Sequence, residues 1–192
     1  MPSIEEHPLK PFLPHNAKLL MLGSFPPQQT RWSMDFFYPN LQNDMWRIMG
    51  MIFFADKHIF VDNTRRCFRK TEIEQFAEEA GIAFYDTAEA VCRLRDNASD
   101  NFLEIIRSTN IEKLLREMPS CLAIATTGEK ATNEIVAHYK TEKPKIGECK
   151  TLTIGERTLQ FYRMPSTSRA YPLALEKKAA YYHTMFKDLA LI

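Results

Sequence analysis

The sequence predicts an α/β layered domain built on a mainly parallel sheet, and three observations lead there. Short apolar runs at residues 18–23 (KLLMLG), 82–85 (IAFY) and 121–125 (CLAIA) each end at a glycine or a polar pair, as buried parallel strands do. Segments with apolar residues at helical spacing separate them. The third run passes through Thr126-Thr127-Gly128 directly into a helical pattern, a strand–turn–helix unit.

The first strand ends at Gly23, and Pro26 and Pro27 prevent its continuation. After an aromatic stretch, Pro39-Asn40 can stop an extended segment and cap a helix. Leu41, Met45, Ile48, Met49 and Ile52 then recur at helical spacing, so Asn43 is expected in the first turn. Residues 57–70 (KHIFVDNTRRCFRK) have no clear period and read as a loop or insertion. A short helix over 71–80 stops at Gly81 and leads into the strand at 82–85, followed by Asp86-Thr87. Ser99 or Asp100 can cap a helix carrying Phe102, Leu103, Ile106, Ile111, Leu114 and Leu115, ended by Pro119. The helix after Gly128 runs to about Tyr139. Residues 151–154 and 158–163 flank Gly155-Glu156 and form a hairpin, whose second arm reaches Met164-Pro165-Ser166-Thr167-Ser168. A last helix over about 173–189 closes the chain.

The 192 residues suffice for one domain with a buried core, so one domain over 1–192 is expected, with 1–17 as an N-terminal extension. Hydrophobic content of 45% and charged content of 26% are those of a globular protein. No apolar run reaches the roughly 18 residues of a membrane span. The N-terminus, MPSIEEHPLKPFLPHNAK, carries acids and prolines where a signal peptide needs an apolar core. A cytoplasmic protein without membrane contact is expected. Lys and Arg number 25 against 24 Asp and Glu, a net charge of +1, so a polyanion would have to be met by a local patch. Cys67, Cys92, Cys121 and Cys149 form no CxxC pair, and His7, His15, His58, His138 and His183 have no metal spacing. Buried thiols, no metal and no cofactor are expected.

Ligands of parallel sheets bind beyond the carboxyl ends of the strands, which singles out residues 23–27, Asp86-Thr87, 126–128 and 164–168. Phe36, Phe37 and Tyr38 beside Asn40 and Asn43 combine flat apolar faces with amides, which suits gripping a planar heterocycle; the same rings could simply fill the space between loop and sheet. Ser166, Thr167, Ser168 and Arg169, followed by Glu176, Lys177 and Lys178, offer hydroxyls and cations of the kind that contact a phosphate backbone; a Ser/Thr-rich helix start with a solvated charged face is the plainer alternative. Thr126-Thr127-Gly128-Glu129-Lys130 lacks the glycine spacing and ending of a P-loop.

Taken in order, LMLGSFPP, FFYPNLQNDMWRIMG, GIAFYDTAEAVCRLRDNASDNFLEI, AIATTGEKA and MPSTSRA followed by LEKKAAYY resemble the motifs of the uracil-DNA glycosylase superfamily. The likeness is greatest to its hypoxanthine-DNA (deoxyinosine) glycosylase branch, then to the mismatch-specific uracil branch, and spans about residues 18–186. It implies a three-layer α/β/α sandwich with a short, mainly parallel central sheet. It also implies a monofunctional hydrolase of the N-glycosidic bond, needing no metal or cofactor, that flips a deaminated base (hypoxanthine or uracil) out of DNA. Its partner would be DNA containing a damaged or mispaired base, and the protein a monomer.

By the same resemblance, Gly23, Ser24, Phe25 and Pro26 wall the base pocket and Phe37 or Tyr38 stacks on the base. Asn43, three residues before Trp46, positions the attacking water. Ser166, Thr167 and Ser168 face the DNA; from their position after that motif alone, Arg169 and Tyr171 are expected there too, one of them as the wedge that fills the emptied stack. The chain has Phe25 and Met164 where the most active members carry Asp and His, which implies weak water activation; Asp35 and Asp44 are the carboxylates near enough in sequence to assist. A non-catalytic lesion- or nucleic-acid-binding module on the same fold, and an enzyme of free nucleosides, are the competing expectations.

Overall fold

The computed structural model describes residues 4–94 and 103–192. Among the described residues, ten strands and five α-helices follow one another as β1 (Ile4–Glu6), β2 (Leu19–Gly23), α1 (Met45–Phe54), β3 (Val61–Asp62), β4 (Cys67–Phe68), α2 (Lys70–Ala80), β5 (Ile82–Asp86), β6 (Ala88–Arg93), β7 (Leu103–Ser108), α3 (Ile111–Glu117), β8 (Ala123–Thr127), α4 (Glu129–Tyr139), β9 (Cys149–Ile154), β10 (Arg157–Met164) and α5 (Leu175–Asp188). The main sheet has the order β5-β2-β8-β10-β9. Its first four strands run parallel, and β9 joins antiparallel through the hairpin with β10. Every residue of β2, β5 and β8 is buried, as a parallel sheet covered by helices on its faces requires. The fold is the expected α/β/α sandwich.

Local signals explain most boundaries. Gly81 stops α2 in the left-handed conformation at φ 67°, its N–H returning to the Ala77 and Glu78 carbonyls. Trp46 is fully buried and donates its indole N–H to the Phe37 carbonyl at 3.0 Å, which ties α1 to the aromatic loop before it.

Four expectations are corrected. The helix expected from 99 or 100 to 115 is instead strand β7 followed by the shorter α3, capped by Asn110, whose side chain accepts from Lys113 N. Ser99, Asp100 and Phe102 lie outside the described residues. The mistake has a physical cause: β7 pairs antiparallel with the preceding strand β6, and the distant β1 completes that sheet in the order β1-β6-β7, so tertiary pairing overrides a local apolar pattern. Within the N-terminal segment Ile4–Glu6 thus form a strand of that sheet, and Phe12 bridges Phe84 on β5 as well. Residues 57–70 contain the ribbon β3–β4, with Phe60, Val61 and Phe68 in the core. Among the cysteines, Cys92 and Cys121 are buried, but Cys67 is half-buried and Cys149 exposed.

Candidate active-site cleft

A cleft of about 1020 Å³ opens at the carboxyl edge of the main sheet, and all four loops singled out from the sequence border it. Gly23, Ser24, Phe25 and Pro26 line one side, and Phe37, Tyr38 and Asn43 come from the long loop before α1. Ser166, Thr167, Ser168, Arg169 and Tyr171 come from the segment after β10. The structure thus brings all twelve of these positions to one place.

The first wall is held rigidly. Trp32 donates its indole N–H to the Pro27 carbonyl at 2.7 Å, and Arg93 donates to the Pro26 carbonyl at 2.7 Å. Phe25 is packed edge-on against His7 and under the Arg93 guanidinium. A Cβ on Gly23 would sit 2.3 Å from Asp86 Oδ1, so glycine is required where β2 passes β5. Gly23→Ala is expected to cost about 1–3 kcal/mol by overpacking, lowering the thermal midpoint by about 2–12 °C; an unchanged melting curve by circular dichroism would show that the Asp86 side chain can withdraw.

The two aromatic candidates differ. Phe37 is 3% exposed and stacks on Phe84 at 6.3 Å between centroids, whereas Tyr38 is half-buried. Tyr38 also holds the left-handed backbone at φ 51°, strained for a bulky side chain. Its hydroxyl meets Thr127 Oγ1 at 2.9 Å, across the cleft from its own loop.

Asn43 is not in the first turn of α1. It precedes Asp44, the residue before the helix, and its Oδ1 accepts from Met45 N at 2.9 Å. That bond fixes the amide orientation: the oxygen serves the helix terminus, and the Nδ2 donors remain. The segment around Asn43 is stitched to the loop after β10 by a bridge between Asn43 and Ser168 and by Asp44 N donating to the Thr167 carbonyl at 2.8 Å.

Several charged residues do something other than expected. Asp44 is 5% exposed; its Oδ1 accepts from Arg169 Nε at 2.9 Å and its Oδ2 from Lys178 Nζ at 3.1 Å. Lys178 is buried and also donates to the Ser168 carbonyl at 2.8 Å, so it is a strut between loops and not a phosphate contact. Arg169 borders the cleft with its Nε bound to Asp44. Arg47, just below, donates to the carbonyls of Leu41 and Asn43; burial and the nearby Arg169 charge lower its pKa. Asp35 is exposed and does not border the cleft, and no basic residue of 57–70 does. Tyr182 supports the Pro165 carbonyl at 2.8 Å from full burial, which holds its phenol well above the usual pKa.

Two residues with functional chemistry carry no role in the sequence reading. Asp86, at the carboxyl end of β5, borders the cleft, and His7 Nε2 stands 2.8 Å behind it. Arg31 and Lys130 add cations to the rim. The only sequence signal for Asp86 is its place directly after a strand. His7 has none, since it is 79 positions away. Among the described residues no group of three or more His, Cys, Asp or Glu could hold a metal ion, and no helix is long and apolar enough to cross a membrane.

No family model and no curated protein matches the chain. A solved structure does: the solution NMR structure of a "putative Uracil DNA glycosylase from Methanosarcina acetivorans" is similar to it with a TM-score of 0.63 and 18% identity, over 98% of this chain and 99% of that one. The likeness is one of fold.

Proposed function

We propose that the protein is a DNA glycosylase that extrudes a deaminated base, hypoxanthine or uracil, from DNA and hydrolyses its N-glycosidic bond. The observation that supports this most is the convergence of a glycine-proline wall, an aromatic side and an amide on one cleft edged by hydroxyls and arginines. The fold likeness is consistent with it. Extrusion is needed because the bond is inaccessible in a stacked duplex, and a mispaired base costs less to unstack.

In this reading Tyr38 offers the more open aromatic face to the base, with Phe37 behind it. Ser166, Thr167, Ser168, Arg169 and the rim cations Arg31 and Lys130 meet the phosphates. Asn43 positions water with its amide donors, and backbone dipoles in the cleft stabilise the cationic sugar of the transition state. Lys178 Nζ is tied to Asp44 and buried, so it is unavailable as an amine nucleophile, in keeping with simple hydrolysis. Incubation with duplexes carrying each base should give strands that break only on later alkali treatment, with no borohydride-trapped covalent complex. Absence of alkali-labile sites for every base at stoichiometric protein would refute the proposal.

A second reading, a module that binds damaged DNA without releasing the base, is favoured by two observations: Phe25 and Met164 are buried apolar residues, and Asn43 Oδ1 is engaged at the helix terminus. Tight binding to a lesion duplex with no base release would select it.

A further inference from the structure

One basic stretch of the chain lies outside the cleft. Residues 63–70 hold Arg65, Arg66, Arg69 and Lys70 and no acid, in a chain whose net charge is only +1. They run through the tip of the β3–β4 ribbon, which pairs Val61 with Phe68 and Asp62 with Cys67, into the start of α2. Phe60, Val61 and Phe68 are buried, so the tip stands on a fixed base. The flanking acid, Asp62, shapes the tip: its Oδ1 accepts from Thr64 N at 3.0 Å and from Arg65 N at 2.9 Å. Its Oδ2 is 4.0 Å from Arg65 Nε, a weak pairing because the Arg65 side chain is 82% exposed. Lys70 is paired with Glu74 at 3.6 Å. Arg66 and Arg69 are exposed, and among the described residues none hydrogen-bonds or ion-pairs with either side chain.

The ribbon is fastened to the outer flank of the loop that carries Asn43. Phe68 N donates to Ser33 Oγ at 3.3 Å, and Ser33 Oγ donates to the carbonyl of Pro39, which borders the cleft, at 2.8 Å. The Arg47 guanidinium lies 5.5 Å from the Phe68 ring centroid and donates to the carbonyls of Leu41 and Asn43. Arg169 N donates to the Gln42 carbonyl at 3.1 Å, so Arg169 and the ribbon attach to the same short loop. From Phe68 the chain can carry Arg66 no further than about 7 Å and Arg65 no further than about 11 Å. A duplex presents a phosphate about every 3.4 Å of axis on each strand. These side chains therefore stand within a few base pairs of a nucleotide held in the cleft.

Clustered arginines without acids repel one another, and a row of phosphates relieves that repulsion while matching the guanidinium fork. We infer that the β3–β4 ribbon is a second DNA-contacting element, in which Arg65, Arg66 and Arg69 take the phosphate backbone of the duplex beside the extruded nucleotide. The inference rests on the cleft receiving a nucleotide from DNA, and it adds a contact outside the cleft that sets affinity and not base choice.

The test measures binding to duplexes with and without deoxyinosine between about 50 and 200 mM salt, where the slope of log K against log salt changes by about 0.9 per phosphate neutralised. Arg65→Gln with Arg66→Gln is expected to lower the slope by about 2, so that wild type loses about tenfold more affinity than this variant over that range. Arg69→Gln, which leaves the tip intact, lowers it by about 1. Both effects should be the same on the two duplexes, because phosphate contacts carry no base information. Lys18→Gln with Arg116→Gln removes two exposed cations at the amino edge of the main sheet and should keep the wild-type slope. Ribbon variants with the wild-type slope overturn the inference. So does an equal fall in the amino-edge variant, which would mean a diffuse field in place of a contact. Wild-type protein that binds duplex but releases no base removes the glycosylase proposal and leaves the slopes readable, whereas active wild type with a slope indifferent to the ribbon removes only this inference.

Discussion

Asp44→Ala is expected to destabilise the protein by about 3–5 kcal/mol, because it leaves the Lys178 ammonium buried without its counter-charge. Lys178 is 1% exposed, and its partners are Asp44 Oδ2 and the Ser168 carbonyl. A neutral carbonyl alone does not offset the desolvation of a buried cation. The midpoint of thermal unfolding should fall by about 6–20 °C for a chain of this length. Arg169→Ala should cost no more than about 1 kcal/mol, since that side of the ion pair is 43% exposed and screened by solvent. The pair Asp44→Leu with Lys178→Met is expected to recover most of the loss, because replacing both charges removes the unpaired cation. If Asp44→Ala melts with the wild type, Lys178 has another outlet and the strut is dispensable.

The same strut bears on the site. Asp44 adjoins Asn43, and Lys178 grips the Ser168 carbonyl, so the ion pair fixes how the loop before α1 meets the loop after β10. Sequence reasoning treats Lys178 as a solvated or phosphate-facing charge because 134 positions separate it from Asp44. Nothing local distinguishes a buried lysine from an exposed one on an amphipathic helix. His7 and Asp86 escape for the same reason, and so do β1 and β6, whose pairing is settled between distant segments. What can be read from the sequence is what local pattern determines. The buried runs of β2, β5 and β8 are apolar throughout, Gly81 and Gly128 mark a helix end and a helix start, and the sheet then forces the loops after the parallel strands to one edge. That is why the motif residues could be brought to one cleft from sequence while the charges behind them could not.

Asn43→Ala should reduce single-turnover base release by about 100-fold or more, the loss typical of removing one well-placed donor from an active site. The same change also removes the side-chain cap on Met45 N, which costs about 1 kcal/mol of stability. Activity alone therefore cannot separate a chemical role from a structural one, and Asn43→Asp separates them. An aspartate retains an oxygen for Met45 N and suits the positive end of α1, so folding stability should return to the wild-type value. It lacks the Nδ2 donors, and its charge lies beside Asp44, so base release should stay low. Recovery of both properties in Asn43→Asp would mean that Asn43 acts only as a cap, and the donor role would have to pass to another group of the cleft. Recovery of stability without activity would place the amide donors in the reaction, independently of how the rest of the pocket reads the base.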